Sequence, residues 1–206
     1  MVLPENPMTS SIEPTLRVPD SARLSFRLLD QHDAQVLFDV DQDPEVMRYL
    51  NAGICTPMEQ IEQRMMPRML AYRKPALGHG IWQVSTRDDC EVLPAKYIGW
   101  ILVRPMCFFT DNPQPDNLEL GWRFKRESWG LGFASEAASA VADAVASHGA
   151  MNASPVRAFS ALAVPDNLPS IAVMKRLGMQ FVSQRVHQDP LWTAEIVEYC
   201  KQLSPP

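Results

Sequence analysis

Several things are scarce in this chain of 206 residues. Its four cysteines, Cys55, Cys90, Cys107 and Cys200, are scattered, and none forms a C-x-x-C or a cluster with one of the four dispersed histidines. Paired-thiol redox chemistry and zinc motifs need such spacings, so the expectation is no metal and a reducing, cytoplasmic setting. No apolar stretch approaches the roughly 18 residues that span a membrane, and no apolar run follows a basic start as in a secretory leader. No Lys/Arg-dense stripe breaks a net charge of −5. A nucleic-acid partner is therefore not expected. Glycine is also rare, with nine in all, yet three of them fall between Gly121 and Gly132.

What is present is ordinary for one globular domain: 46% hydrophobic and 21% charged residues. Residues 1–20 are rich in Pro, Ser, Thr and Asn and read as a loose tail or a surface strap. The domain is expected over 21–206. Leu24, Phe26 and Leu28 alternate with Arg23, Ser25 and Arg27, the pattern of a half-buried strand. Asp30 is placed to cap a helix over 31–41, and Asp43-Pro44 to open another. Residues 57–73 read as a longer helix that Pro67 kinks or divides. Gly80–Thr86 and Lys96–Arg104 read as a hairpin around Arg87-Asp88-Asp89. Pro105 to Asn117 reads as a long loop in which Phe108 and Phe109 are anchors.

The scarce glycines mark the centre of the chain. A strand over Leu118–Phe124 leads through a polar link into Trp129-Gly130-Leu131-Gly132-Phe133-Ala134, and then into an alanine-rich helix. Glycines in such a turn permit backbone shapes and approaches that a Cβ forbids. The helix offers free N–H groups and the positive end of its dipole, a cradle for phosphate. A P-loop would require Lys and Ser/Thr after the last glycine, and Phe133-Ala134 follow instead. The dinucleotide fingerprint fits poorly as well, with Ser135 in its third small position. Arg123, Lys125 and Arg126 flank the turn, either for an anionic cofactor or as a solvated strand end. A strand over 154–164, a helix capped by Asn167 and ended by Gly178, and two last strands over 179–184 and 192–201 complete the reading.

Four segments together resemble the GNAT acetyltransferase superfamily, in the branch of RimJ and RimL. They are Ala22–Arg27, Asp43–Leu50, Glu119–Trp122 with Trp129–Ala137, and Asn167–Ser170 with Leu177–Met179. The resemblance departs at Trp129, where many relatives carry Gln or Arg. It implies an α/β (α+β) fold: a mixed, mostly antiparallel sheet flanked by helices and splayed at the central strand after Gly121, with a β-bulge opening that strand. It implies acetyl-CoA as co-substrate and transfer of its acetyl group to a primary amine by direct attack in a ternary complex. The amides of Leu131, Gly132, Phe133 and Ala134, in the turn begun by Trp129 and Gly130, would hold the pyrophosphate. The backbones of Trp122 and Phe124 would pair with the pantetheine amides, and Asn167 would reach the same arm. Lys175 or Arg176 meets the nucleotide phosphate or else faces solvent.

An amine must lose a proton before it attacks. Glu119 is the candidate base, with a surface carboxylate as the alternative. The Trp122 N–H is suited to the oxyanion. Ser170 resembles the serine proposed to protonate the leaving thiolate; the alternative is a hydroxyl bonding its own helix backbone. The acceptor is a peptide N-terminus or a small molecule, selected by the early helices and the 105–117 loop. A homodimer is left open. The competing reading is a non-catalytic acyl-CoA-binding module, against which the presence of both Glu119 and Ser170 weighs.

Overall fold

The computed structural model describes residues 15–151, 154–189 and 192–204, without the side chains of Gln188 and Trp192. The expected tail over 1–14 lies outside the described residues. From Thr15 the chain is a strap packed on the domain: Leu16 and Val18 are buried in the main core, and Leu16 N–H donates to Pro75 O at 2.9 Å.

Seven strands form one sheet in the order β1-β2-β3-β4-β5-β7-β6. They are β1 (Leu24–Leu28), β2 (Gly80–Thr86), β3 (Tyr97–Met106), β4 (Gln114–Phe124), β5 (Ala158–Ala163), β6 (Gln180–Asp189) and β7 (Trp192–Gln202). All pairings are antiparallel except β4 with β5. The mixed, mostly antiparallel sheet is the one expected.

Each face of the sheet buries its own helices. Helices α5 (Phe133–Met151) and α6 (Leu168–Arg176) cover one face. Ala137, Ala138, Val141, Ala142 and Val145 point inward from α5. Such small side chains let its axis lie close to the sheet. The opposite face carries α1 (Ala34–Val40), α2 (Pro44–Asn51), α3 (Met58–Gln60) and α4 (Met66–Tyr72), packed on Ile81 and Trp100. Burial of each large aliphatic side chain in either core stabilises the fold by about 1.5–3 kcal/mol.

Local chemistry corrects several boundaries. Asp30 does not cap α1; its carboxylate accepts from His32 N–H, and Asp33 precedes the helix while forking onto Arg27. Asp43 caps α2 through Glu45 N–H at 2.9 Å. A π-turn over Ile61–Met65 joins α3 to α4. It places Pro67 in the first turn of α4, where a missing N–H costs nothing. The long loop expected over 105–117 shrinks to 107–113. Pro105 stands opposite Leu118 in the β3–β4 ladder, and beyond it the register jumps to Met106–Gln114. Proline is tolerated there because the β2 pairing of β3 already ends at Val103.

Candidate active site

The site begins where β4 and β5 part. Their parallel pairs stop at Glu119–Ser160, two residues earlier than the expected Gly121. From there β4 continues with β3 and β5 with β7. The β3–β4 ladder runs unbroken from Gly99–Phe124 to Pro105–Leu118, so no bulge at Gly121 opens the strand; the two strands simply diverge.

Alternation along β4 decides which backbone groups face the gap. Lys125 N–H donates to Ile98 O at 2.8 Å. Arg123 and Gly121 therefore also turn their polar backbone toward β3, and Trp122 and Phe124 turn theirs to the edge that has lost its neighbour. The Phe124 carbonyl is not free, however. The indole Nε1 of Trp129 donates to it at 2.8 Å, tying the start of the glycine turn to the end of β4.

Because β4 and β5 run parallel, both strands end on the same side of the sheet. The turn into α5 and the turn into α6 therefore open on one mouth. Gly130 and Gly132 take φ of +74° and +81°, a region side chains avoid. The first bond of the α5 ladder is Glu136 N–H to Gly132 O at 3.1 Å. The amides of Phe133, Ala134 and Ser135 thus precede the ladder and point out of the helix end. Across the mouth, Asn167 Oδ1 accepts from Ser170 N–H at 3.2 Å. Its Nδ2 remains as a donor. Among the described residues Ser170 Oγ has no hydrogen-bond partner in the protein, so it does not bond its own helix backbone. Lys175 and Arg176 are exposed on the last turn of α6.

The basic residues near the turn do not act as a group: Arg126 is exposed, as a solvated strand end would be, while Arg123 is drawn to the other face of the sheet. Arg123 forms a buried ion pair with Asp41 on the α1 side, and Asp41 also accepts from Thr56 Oγ1 at 2.7 Å. Lys125 sits over the Tyr97 ring at 4.6 Å, and Arg126 pairs with Asp43 at 2.9 Å.

Glu119 lies at the apex of the gap, on the face of α1 to α4. Both of its oxygens accept from Arg104, at 2.9 and 3.1 Å, and both side chains are largely enclosed. Burial opposes the charge on Arg104, but Glu119 outweighs it and raises the guanidinium pKa. Each carboxylate oxygen keeps a further lone pair for water or an amine. Around this pair stand Tyr72, Phe108 and Phe109, in mutual edge contacts with centroids 4.9–6.2 Å apart. The two phenylalanines anchor the 107–113 loop on α4. Arg68 stacks 3.4 Å over Phe109 and pairs with Asp189 at the end of β6. That pair ties α4, the loop and the β6–β7 hairpin together. Burial depresses the pKa of His187 on β6, with Glu119 pulling the other way. No group of three or more His, Cys, Asp or Glu among the described residues could hold a metal ion. No helix among them is long and apolar enough to cross a membrane.

Sequence reasoning missed the partner of Glu119. Arg104 stands 15 positions away and comes into register only through the β3–β4 ladder. It also missed Arg23 and Ser21, which grip Glu136 in the first turn of α5 from more than 110 positions away.

Residues 23–180 match the family model of the Acetyltransferase (GNAT) domain. An uncharacterised N-acetyltransferase, p20, of Bacillus licheniformis is 29% identical over 160 residues, 77% of this chain and 79% of its own length. The FsC-acetyl coenzyme A-N(2)-transacetylase of Aspergillus fumigatus is 30% identical over 135 residues, 64% of this chain and 52% of its own. Among solved structures, RimL, a ribosomal L7/L12 alpha-N-protein acetyltransferase in complex with coenzyme A, aligns with a TM-score of 0.63. That alignment covers 90% of this chain and 97% of the other at 14% identity, a likeness of fold.

Proposed function

Because the chain belongs to the GNAT acetyltransferase family and acts as an acetyl-CoA-dependent N-acetyltransferase, we propose that its glycine turn holds the CoA pyrophosphate and that a primary amine enters from the opposite face. The observation that carries this reading is the mouth where β4 and β5 part, with two helix N-termini opening on it. The amides of Gly132, Phe133 and Ala134 are the anion donors, helped by the α5 dipole. Pantetheine supplies the strand that β4 lacks. It pairs with the backbone of Trp122 and the N–H of Phe124, the Phe124 carbonyl being engaged by Trp129. Asn167 Nδ2 donates to the same arm.

The acceptor amine is a peptide N-terminus or a small molecule that presents its nitrogen end-on. The tie between α4, the 107–113 loop and the β6–β7 hairpin supports such an approach. Glu119 takes the amine proton, directly or through water, while Arg104 keeps the carboxylate oriented. The Trp122 N–H receives the oxyanion. Ser170 Oγ, without a hydrogen-bond partner among the described residues, donates to the departing sulfur.

The test is thiol release from acetyl-CoA across a panel of peptide and small-molecule amines, with CoA binding followed by calorimetry. Gly132→Asp puts a side chain at a positive-φ position and a negative charge in the cradle. Loss of measurable CoA binding in a variant that melts within a few degrees of wild type is the expected result. Undiminished affinity would remove the cradle from the turn.

A further inference from the structure

Arg23, just before β1, reaches both the glycine turn and the first turn of α5. Its Nε donates to Glu136 Oε2 at 2.7 Å, and its Nη2 lies 2.6 Å from the same oxygen. Its own backbone N–H donates to Glu136 Oε1 at 3.0 Å, beside Ser21 Oγ at 2.7 Å. Nη1 donates to the Leu131 carbonyl at 3.0 Å. The guanidinium carbon stands 4.3 Å from the centroid of the fully buried Phe133 ring. One side chain thus holds a carbonyl, a ring and a carboxylate drawn from six consecutive residues.

The carbonyl contact has a geometric corollary. In a trans peptide the C=O and the following N–H point in opposite directions. Drawing the Leu131 oxygen inward turns the Gly132 N–H outward, toward the mouth. The flanking glycines at positive φ leave that peptide free to rotate unless something fixes it. Glu136, held by three donors, aims the guanidinium.

We propose that Arg23 is a positioning residue for the cofactor: it locks the Leu131–Gly132 peptide in the orientation that presents the Gly132 N–H to the CoA pyrophosphate. This rests on the reading that the glycine turn is the pyrophosphate cradle.

The experiment measures CoA affinity by calorimetry, and kcat and the KM for acetyl-CoA by thiol release, for wild type, R23K, R23A, E136Q and the double variant R23A/E136Q. Loss of a charge-assisted hydrogen bond predicts CoA affinity about 10- to 100-fold weaker in R23A. KM should rise in step, and kcat at saturating acetyl-CoA should stay within about threefold of wild type. R23K keeps the charge facing Glu136 but has no second donor in a fixed fork for Leu131 O. It should melt like wild type and still bind CoA several-fold more weakly, which answers for R23A if that variant fails to fold. E136Q should show a smaller loss. The double variant should be no worse than R23A, because Glu136 reaches the Leu131 carbonyl only through Arg23. Wild-type CoA affinity in R23K or folded R23A overturns the proposal, as does a fall in kcat with KM unchanged. Undiminished CoA binding by Gly132→Asp marks the other failure, that of the cradle itself.

Discussion

Two side chains in this site are expected to move protons, and they differ in how the protein holds them. Glu119 is forked on Arg104; Ser170 Oγ has no hydrogen-bond partner among the described residues. Glu119→Gln keeps the shape and one acceptor oxygen but cannot take the amine proton. We expect kcat to fall by about two to four orders of magnitude, the usual span of acid–base assistance, with CoA affinity unchanged. The deficit should narrow at high pH, where the amine arrives deprotonated. Ser170→Ala should lower kcat less, because a thiol with a pKa near 8.5 leaves readily without help. Its deficit should not narrow at high pH. Paired pH–rate profiles check both. A wild-type profile for Glu119→Gln would shift the search for a base to Asp111 in the 107–113 loop and Asp116 at the start of β4, and to His187 on the far side of the gap.

Among the elements, β4 carries the edge proposed for the cofactor and β3 fixes its position. At Gly99, opposite Phe124, the two strands leave no room for a Cβ. A Cβ there would lie 2.5 Å from the Arg123 carbonyl oxygen and 2.7 Å from Phe124 Cδ1. Gly99→Ala must therefore push the end of β4 outward. It should cost about 1–3 kcal/mol of stability, the usual range for overpacking. It should also weaken CoA binding, because Phe124 and the indole of Trp129 move together. Chemical denaturation and calorimetry check the two halves. The sheet of this protein was readable because its strands alternate and its turns carry their own residues, as in Arg87-Asp88-Asp89. The glycine turn was readable because glycine is otherwise scarce. The start of β4 was not, since Pro115 and Asn117 imitate a loop and only the pairings of Gln114 with Met106 and of Asn117 with Ala158 overrule them. Nor was the partner of Glu136, because nothing local links position 136 to Ser21 and Arg23.

Taken whole, the molecule carries one buried histidine whose titration should be felt by the entire fold. His79 is almost fully enclosed at the entry to β2, and its Nδ1 is buried without a partner. Burial, with a smaller push from Lys74, lowers its pKa to about 4. The unfolded chain binds that proton near pH 6.5, so the unfolded state is the better proton acceptor. The contribution of neutral His79 is therefore complete above about pH 6.5 and is lost as the pH falls toward 4. The full loss is about 3 kcal/mol. Urea unfolding at intervals between pH 7 and 4 should show stability falling more steeply for wild type than for His79→Gln. Carboxylates that titrate in the same window are common to both proteins and cancel in the difference.

The parting of β4 from β5 also writes a signature in time. Along β4 the amides of Gly121 and Arg123 are closed into the ladder with β3, while those of Trp122 and Phe124 face an edge with no strand beside it. Without ligand, hydrogen exchange along this single strand should alternate, with slow and fast residues following one another. Coenzyme A seated as a surrogate strand would slow Trp122 and Phe124 alone, and the sawtooth would flatten into one protected run.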